Sequence, residues 1–245
     1  VSTNVTDWSC SISHANVTLP SRDLLYFSAE RLQRVTVTLL DSHVTLVNSG
    51  YAVVQMTVGL GFASMNVTLR SCAVSGGMLF NHLVGLDHHA VLYAGHVLAF
   101  IDVNVSWSKA SRPAVFILGA SVAWNVPFPL RSDDTGPDWD VGMPQDELAL
   151  RLVIVGGVWR MAAEGQDVRM LDVRGHLNGA SVELDGADVT LSGRGASVLL
   201  TVDSYQFIGD VIIRRSTLAT YDGATVLRLY SNSGYPTAMR VVIDD

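Results

Sequence analysis

The sequence predicts an all-β solenoid: a right-handed parallel β-helix of the pectin-lyase-like kind, with about eight coils of roughly 30 residues. Three observations predict it. Short runs of β-branched and aliphatic residues recur at a nearly constant interval. Each interval repeats the same internal order of strand and turn. Helical texture is scarce.

The first strand of each coil is read at Val5, Val35, Val67, Leu98, Leu152, Val182, Val211 and Val241, giving intervals of 30, 32, 31, 54, 30, 29 and 30 residues. The long interval reads as one insertion at about 125–146, rich in proline and aspartate, which leaves the solenoid and rejoins it near Leu148. Second strands are read at 44–46, 103–107, 158–159, 189–191 and 218–220. Turns such as Asn48-Ser49-Gly50 and Asp222-Gly223 follow them. Third strands at 52–54, 114–118, 168–171, 198–202 and 226–229 close the coil. Residues 23–33 have a mildly helical texture but align with the third strand of the first coil. A single coil cannot bury its own apolar face, whereas coils stacked ~4.8 Å apart pair every backbone group above and below. A leucine-rich repeat would show a shorter period, a propeller blade a longer one, and a sandwich no constant interval. Residues 1–245 therefore read as a single domain.

Hydrophobic residues make up 49% of the chain and charged ones 16%, too apolar a balance for disorder. A net charge of −7 argues against a nucleic-acid partner, whose phosphates call for lysine and arginine clusters. The longest apolar run, 90–103, contains His96 and Asp102 and is shorter than the ~20 residues a membrane helix needs; two buried strands explain it better. The chain begins at Val1, which suggests a segment of a longer protein, with signal, anchor and end-to-end contacts supplied by the rest of it. Sequons at Asn4, Asn16, Asn66 and Asn104 are candidate N-glycosylation sites if the chain is secreted. Cys10 and Cys72 each lie five residues after an expected strand start, which places them two coils apart in one column. That is ~9.6 Å, too far for a disulfide, so both thiols are expected to be free.

Imperfect strands such as Asn66-Val67-Thr68-Leu69-Arg70-Ser71-Cys72 followed by Ser75-Gly76-Gly77, scattered sequons, and arginine with Lys109 as the only lysine give the chain its texture. In that texture it resembles the dispersed gene family of trypanosome surface proteins. The resemblance implies a stretch of a very long surface glycoprotein, adhesive in role, with membrane segments near the C-terminus of the full protein. No sharp motif carries it, and no functional residue transfers.

Enzymes on such a fold need clustered exterior carboxylates. Asp172 and Asp203 are expected at comparable ends of third strands, and Asp41 and Asp102 at similar first corners with a coil between them; the plainer reading is that aspartate favours corners. Asp87-His88-His89 is the densest polar cluster outside the insertion; a loop could bring the histidines together with His82 or His96, but adjacent strand residues point apart, and a solvated loop explains them better than zinc. In the insertion, Asp133, Asp134, Asp138 and Asp140 could take Ca²⁺ and Trp139 could stack on a sugar, although their spacing is not that of an EF-hand. Trp107, Trp124 and Trp159 are expected in strands, as core aromatics. The sequence assigns no catalytic residue, cofactor or metal. The expected function is a non-catalytic surface or secreted adhesive rod that meets an extracellular protein or carbohydrate ligand; the alternative is a polysaccharide lyase or glycosidase.

Overall fold

Runs such as Val35-Thr36-Val37-Thr38-Leu39 put apolar side chains on one surface of a strand and hydroxyls on the other, a pattern that suits a half-buried pleat. In the computed structural model these runs form parallel strands stacked as a β-solenoid. Residues 4–84, 91–92, 95–118, 150–164, 168–193, 198–222, 225–231 and 238–244 are described; among them every ladder is parallel and every element is a strand. No helix among them is long and apolar enough to cross a membrane.

The second strands of the coils form a seven-stranded sheet, from Asn16–Leu19 through His43–Leu46, Ala73–Ser75, Asn104–Ala110, Val158–Ala163 and Asp188–Ser192 to Thr217–Thr220. The first and third strands are fused into a twelve-stranded sheet. Four long strands, Leu25–Leu40, Ala52–Arg70, Arg169–Asp185 and Val198–Arg214, run unbroken from the third face of one coil onto the first face of the next. Register shifts at Ala29/Arg31, Arg174/His176 and Asn178/Ala180 bend them, because an extra residue on one strand kinks it. The helical texture of 23–33 thus resolves into the start of Leu25–Leu40, a strand bent around the solenoid.

The register confirms most of the expected strand starts and corrects two. Val67, Leu98, Leu152, Val182, Val211 and Val241 fall in one column to the residue. That column continues to Val37 rather than Val35, and to Cys10 rather than Val5. A slip of two keeps the same side chains inward, so alternating Val and Thr cannot distinguish Val35 from Val37. The first interval is 27 residues, and this short coil misplaces Val5.

Val37, Val67, Leu98, Leu152, Val182 and Val211 lie inward and are buried, as are Leu39, Leu69, Phe100, Ile154 and Leu184 in the column two residues on. Each such side chain contributes about 1.5–3 kcal/mol. Trp159 faces Phe100 edge-on with ring centroids 5.7 Å apart, and Trp107 is buried one column along, both as core aromatics. Burial alternates along first-face strands such as Leu150–Val155. On the third face it does not: Ala52 to Met56, Met78 to His82 and Val198 to Val202 are buried at every position.

Candidate functional site

Each coil passes from its first to its second face through a tight corner. The leading residue of that corner has positive φ: His14 at 53°, Asp41 at 46°, Ser71 at 52°, Asp102 at 52°, Gly156 at 62°, Gly186 at 67° and Arg215 at 47°. Its N–H donates to a carbonyl of the neighbouring coil, as in Asp41 to Arg70, Ser71 to Ile101 and Asp102 to Val155. Aspartate tolerates this left-handed conformation better than most residues, which is one reason it recurs here. Asp41 and Asp102 therefore occupy one column with Ser71 between them, as the sequence suggested.

That corner opens into a shallow concavity of about 640 Å³, with Asp41, Ser71 and Asp102 on one side and Asn16, His43 and Asn104 on the other. The second set belongs to one column of the seven-stranded sheet, Asn16–His43–Ala73–Asn104. A second hollow of about 290 Å³ adjoins it, sharing His43, Ala73 and Asn104, and floored by small side chains such as Ser75 and Ser106, with Val158 at its edge. Asp102 is given room by its neighbour: a Cβ on Gly156 would come within 2.5 Å of the Asp102 carboxylate.

Other exterior acids are engaged differently. Asp7 pairs with Arg34, Asp185 with Arg215 at 2.5 Å, Asp210 with Arg240 at 2.6 Å, Asp188 with Arg160 at 2.9 Å and Glu183 with Arg151 at 3.3 Å. Each pair joins adjacent coils. Hydrogen bonds from the guanidinium groups hold the carboxyls of Asp7, Asp185 and Asp210 below the usual aspartate range. Asp23 is the opposite case: burial raises it, although it accepts the Ala52 N–H at 2.7 Å.

Asp172 is only 2% exposed and lies on the third face. Arg174 grips it with two bonds, Nε to Oδ1 at 2.8 Å and Nη2 to Oδ2 at 2.6 Å, and Arg169 adds a third at 3.2 Å. Arg174 also lies 5.5 Å from the centre of the Phe116 ring. Asp172 aligns with Thr201, while Asp203 aligns with Arg174, so the expected Asp172–Asp203 equivalence is corrected by two residues.

His82 and His96 lie on different faces of the solenoid. His82 aligns with Met56 and Ile117 on the third face, and His96 with Leu150 on the first, where its Nδ1 accepts the Met65 N–H at 3.4 Å; both are buried in the core. Among the described residues no group of three His, Cys, Asp or Glu side chains is placed to hold a metal ion. Asp87-His88-His89, Trp124 and the insertion residues Asp133, Asp134, Asp138, Trp139 and Asp140 lie outside the described residues.

The four sequon asparagines, Asn4, Asn16, Asn66 and Asn104, are all exposed. Cys10 and Cys72 are free, but not for the expected reason. Cys10 stands in the Val37 column, whereas Cys72 stands at the corner, where its carbonyl accepts the Asn104 N–H. Burial pushes the Cys72 thiol up. Sequence reasoning missed His14 and Asn16 as neighbours of Asp41, because a first coil placed five residues out of register hides the shared corner column, and it did not single out His43 or Ser71.

No protein family, curated protein or solved structure matches this chain.

Proposed function

We propose that this chain is a non-catalytic, structural and adhesive β-helix ectodomain, on a cell surface or secreted, whose exterior meets an extracellular protein or carbohydrate. In this reading the helix is right-handed, has about eight coils, and makes end-to-end contacts with the rest of a longer surface glycoprotein. Sequon glycans decorate it, and any membrane anchor lies elsewhere. The observation that carries the reading is how the exterior acids are used. Five of them clamp one coil to the next through arginine. Three of these are held at lowered pKa, whereas a general acid for glycosidic cleavage needs a raised one. Such pairs rigidify a rod and take five of its exterior carboxylates out of acid–base work. The resemblance to trypanosome surface proteins and the exposure of all four sequons support the same reading.

The test pairs two assays on the purified chain. Saturable binding to immobilised extracellular glycoproteins or glycans is expected, with no product from polygalacturonate or related polymers with or without Ca²⁺. Turnover of such a polymer, abolished by Asp172→Ala or Asp41→Asn, would overturn it.

A further inference from the structure

The outer surface of the third face is buried unevenly along the rod. In one outward column Tyr26 of the first coil is 59% exposed, whereas Gln55, Asn81, Asp172 and Thr201 of the middle coils are buried. In the neighbouring outward column Leu79, Met170 and Leu199 are buried, and Val226 of the coil holding Thr225–Ser231 is exposed again. The outside of a parallel sheet loses contact with water only where chain packs on it. Every described element is itself part of the solenoid wall, so among the described residues no element packs there. Asn81 Oδ1 and Thr201 Oγ1 are buried without a partner among the described residues, which is what an occupied surface leaves behind.

We propose that this surface is an internal docking site, and that its occupant is the chain's own stretch 119–149, with the apolar run 122–130 against Leu79, Met170 and Leu199. Position in the chain singles that stretch out. The buried span is centred on the coil of Val115–Leu118, and 119–149 follows that strand directly. In the next coil residues 175–179 suffice to join Arg174 to Ala180, which align with Leu118 and Leu150, so most of 119–149 is surplus to completing its coil. The other undescribed stretches between strands hold six residues or fewer, too few to cross several coils and return. Composition fits the surface. Val122, Trp124, Val126, Phe128 and Leu130 alternate, which puts five large apolar side chains on one side of an extended run. Such a run reaches ~26 Å, and the four rungs from Gln55 to Thr201 cover ~19 Å. Pro127 and Pro129 have no N–H, so this run cannot serve as a further rung of a ladder but is free to lie across strands. The docked stretch takes the middle of the third face away from any partner and leaves the first and second faces to meet one. It goes beyond the adhesive reading and does not depend on it.

The experiment reads solvent access to that surface in the 245-residue chain. Asn81→Cys and Tyr26→Cys each place a thiol in one outward column, two rungs apart. With iodoacetamide and peptide mapping, the thiol of Asn81→Cys is expected to react at least about tenfold more slowly than that of Tyr26→Cys. Replacing 119–149 with a copy of the five-residue join 175–179 is expected to remove the difference. Equal rates in the intact chain, or a difference that survives the replacement, would overturn the proposal. Two further readouts need no shortened chain. Trp124→Ser combined with Phe128→Ser should speed alkylation of Asn81→Cys severalfold while the circular dichroism of the sheet is kept, and an unchanged rate counts against docking. In chain grown with a diazirine analogue of methionine, photo-crosslinks from Met170 should map to peptides within 119–149; crosslinks that map only to other segments would show a different occupant and overturn the assignment.

Discussion

The first and third faces are built from strands of similar composition, joined in one sheet, yet they are buried differently. Along the first face, inward Leu152 and Ile154 alternate with outward Arg151 and Val155. Along the third, Val198 to Val202 are buried without alternation, and the column two residues on from the apolar Leu199 position holds Gln55, Asn81, Asp172 and Thr201 out of water. A strand with one wet surface tolerates change on that surface. A strand buried on both surfaces is constrained at every position, and each polar group on it must find a partner. Asn81 Nδ2 donates to the Gln55 side-chain carbonyl at 2.7 Å and Asp172 accepts from its two arginines, whereas Asn81 Oδ1 and Thr201 Oγ1 are buried without a partner among the described residues.

The sharpest way to break this comparison is to put the same polar residue on both outer surfaces. Leu199→Asn should cost about 4 kcal/mol or more, combining lost burial with an unsatisfied amide, whereas Val155→Asn should cost under about 1 kcal/mol. Denaturant midpoints measure both, and similar shifts would show that the third face is not constrained on its outer side. Asp172→Ala comes next. It leaves Arg169, whose side chain is 15% exposed, without its carboxylate and should cost about 3–5 kcal/mol, or roughly 10 °C in thermal midpoint. A loss below 1 kcal/mol would mean that the arginines re-solvate freely.

The corner offers a third test. Gly157 has φ of 77°, and a Cβ there would collide with the Val103 backbone carbonyl. Gly157→Ala should therefore cost about 2 kcal/mol or more, while Ser71→Gly, also at a left-handed position, should be neutral or mildly stabilising. An alanine accepted at Gly157 without loss would require a different corner geometry.

The exterior clamps should show smaller effects. The arginine partners depress the carboxyls of Asp185 and Asp210, so their contribution is fully present above the ordinary aspartate pKa of about 3.9 and is lost as pH falls through the lower folded values. Carboxyl NMR titration should give midpoints below that value for both, with Asp185 alone returning toward it in Arg215→Gln. An unchanged Asp185 midpoint would mean that the pair does not form in solution. The smallest effect is kinetic: Cys72, buried and with its thiol pushed up, should react with iodoacetamide more slowly than the half-buried Cys10.

The solenoid was legible because its period is a chain-wide property: a misread rung such as Val35 for Val37 does not disturb the interval from Val67 to Val241. The corner concavity was only half legible. Asp41 and Asp102 could be aligned from their shared place before a second strand, but His14 and Asn16 belong to the 27-residue first coil, whose offset no local pattern reveals. The polar column of the third face was hidden for another reason. Asp172 reads as a corner aspartate in sequence, and only the register shows it between arginines in mid-strand. The fusion of third and first faces was equally hidden, since a bulge such as that near Glu30 has no signature beyond one extra residue.

The axial ion pairs and ladders have a mechanical meaning. All bonds between coils run along the rod, so tension applied to its ends loads a whole turn of hydrogen bonds and any arginine clamp together, rather than one bond at a time. Yielding should then be stepwise. A coil of about 30 residues peels off as a unit and releases roughly 100 Å of slack before the next coil bears the load. A solenoid built this way lengthens under force by discrete amounts and keeps its remaining coils folded.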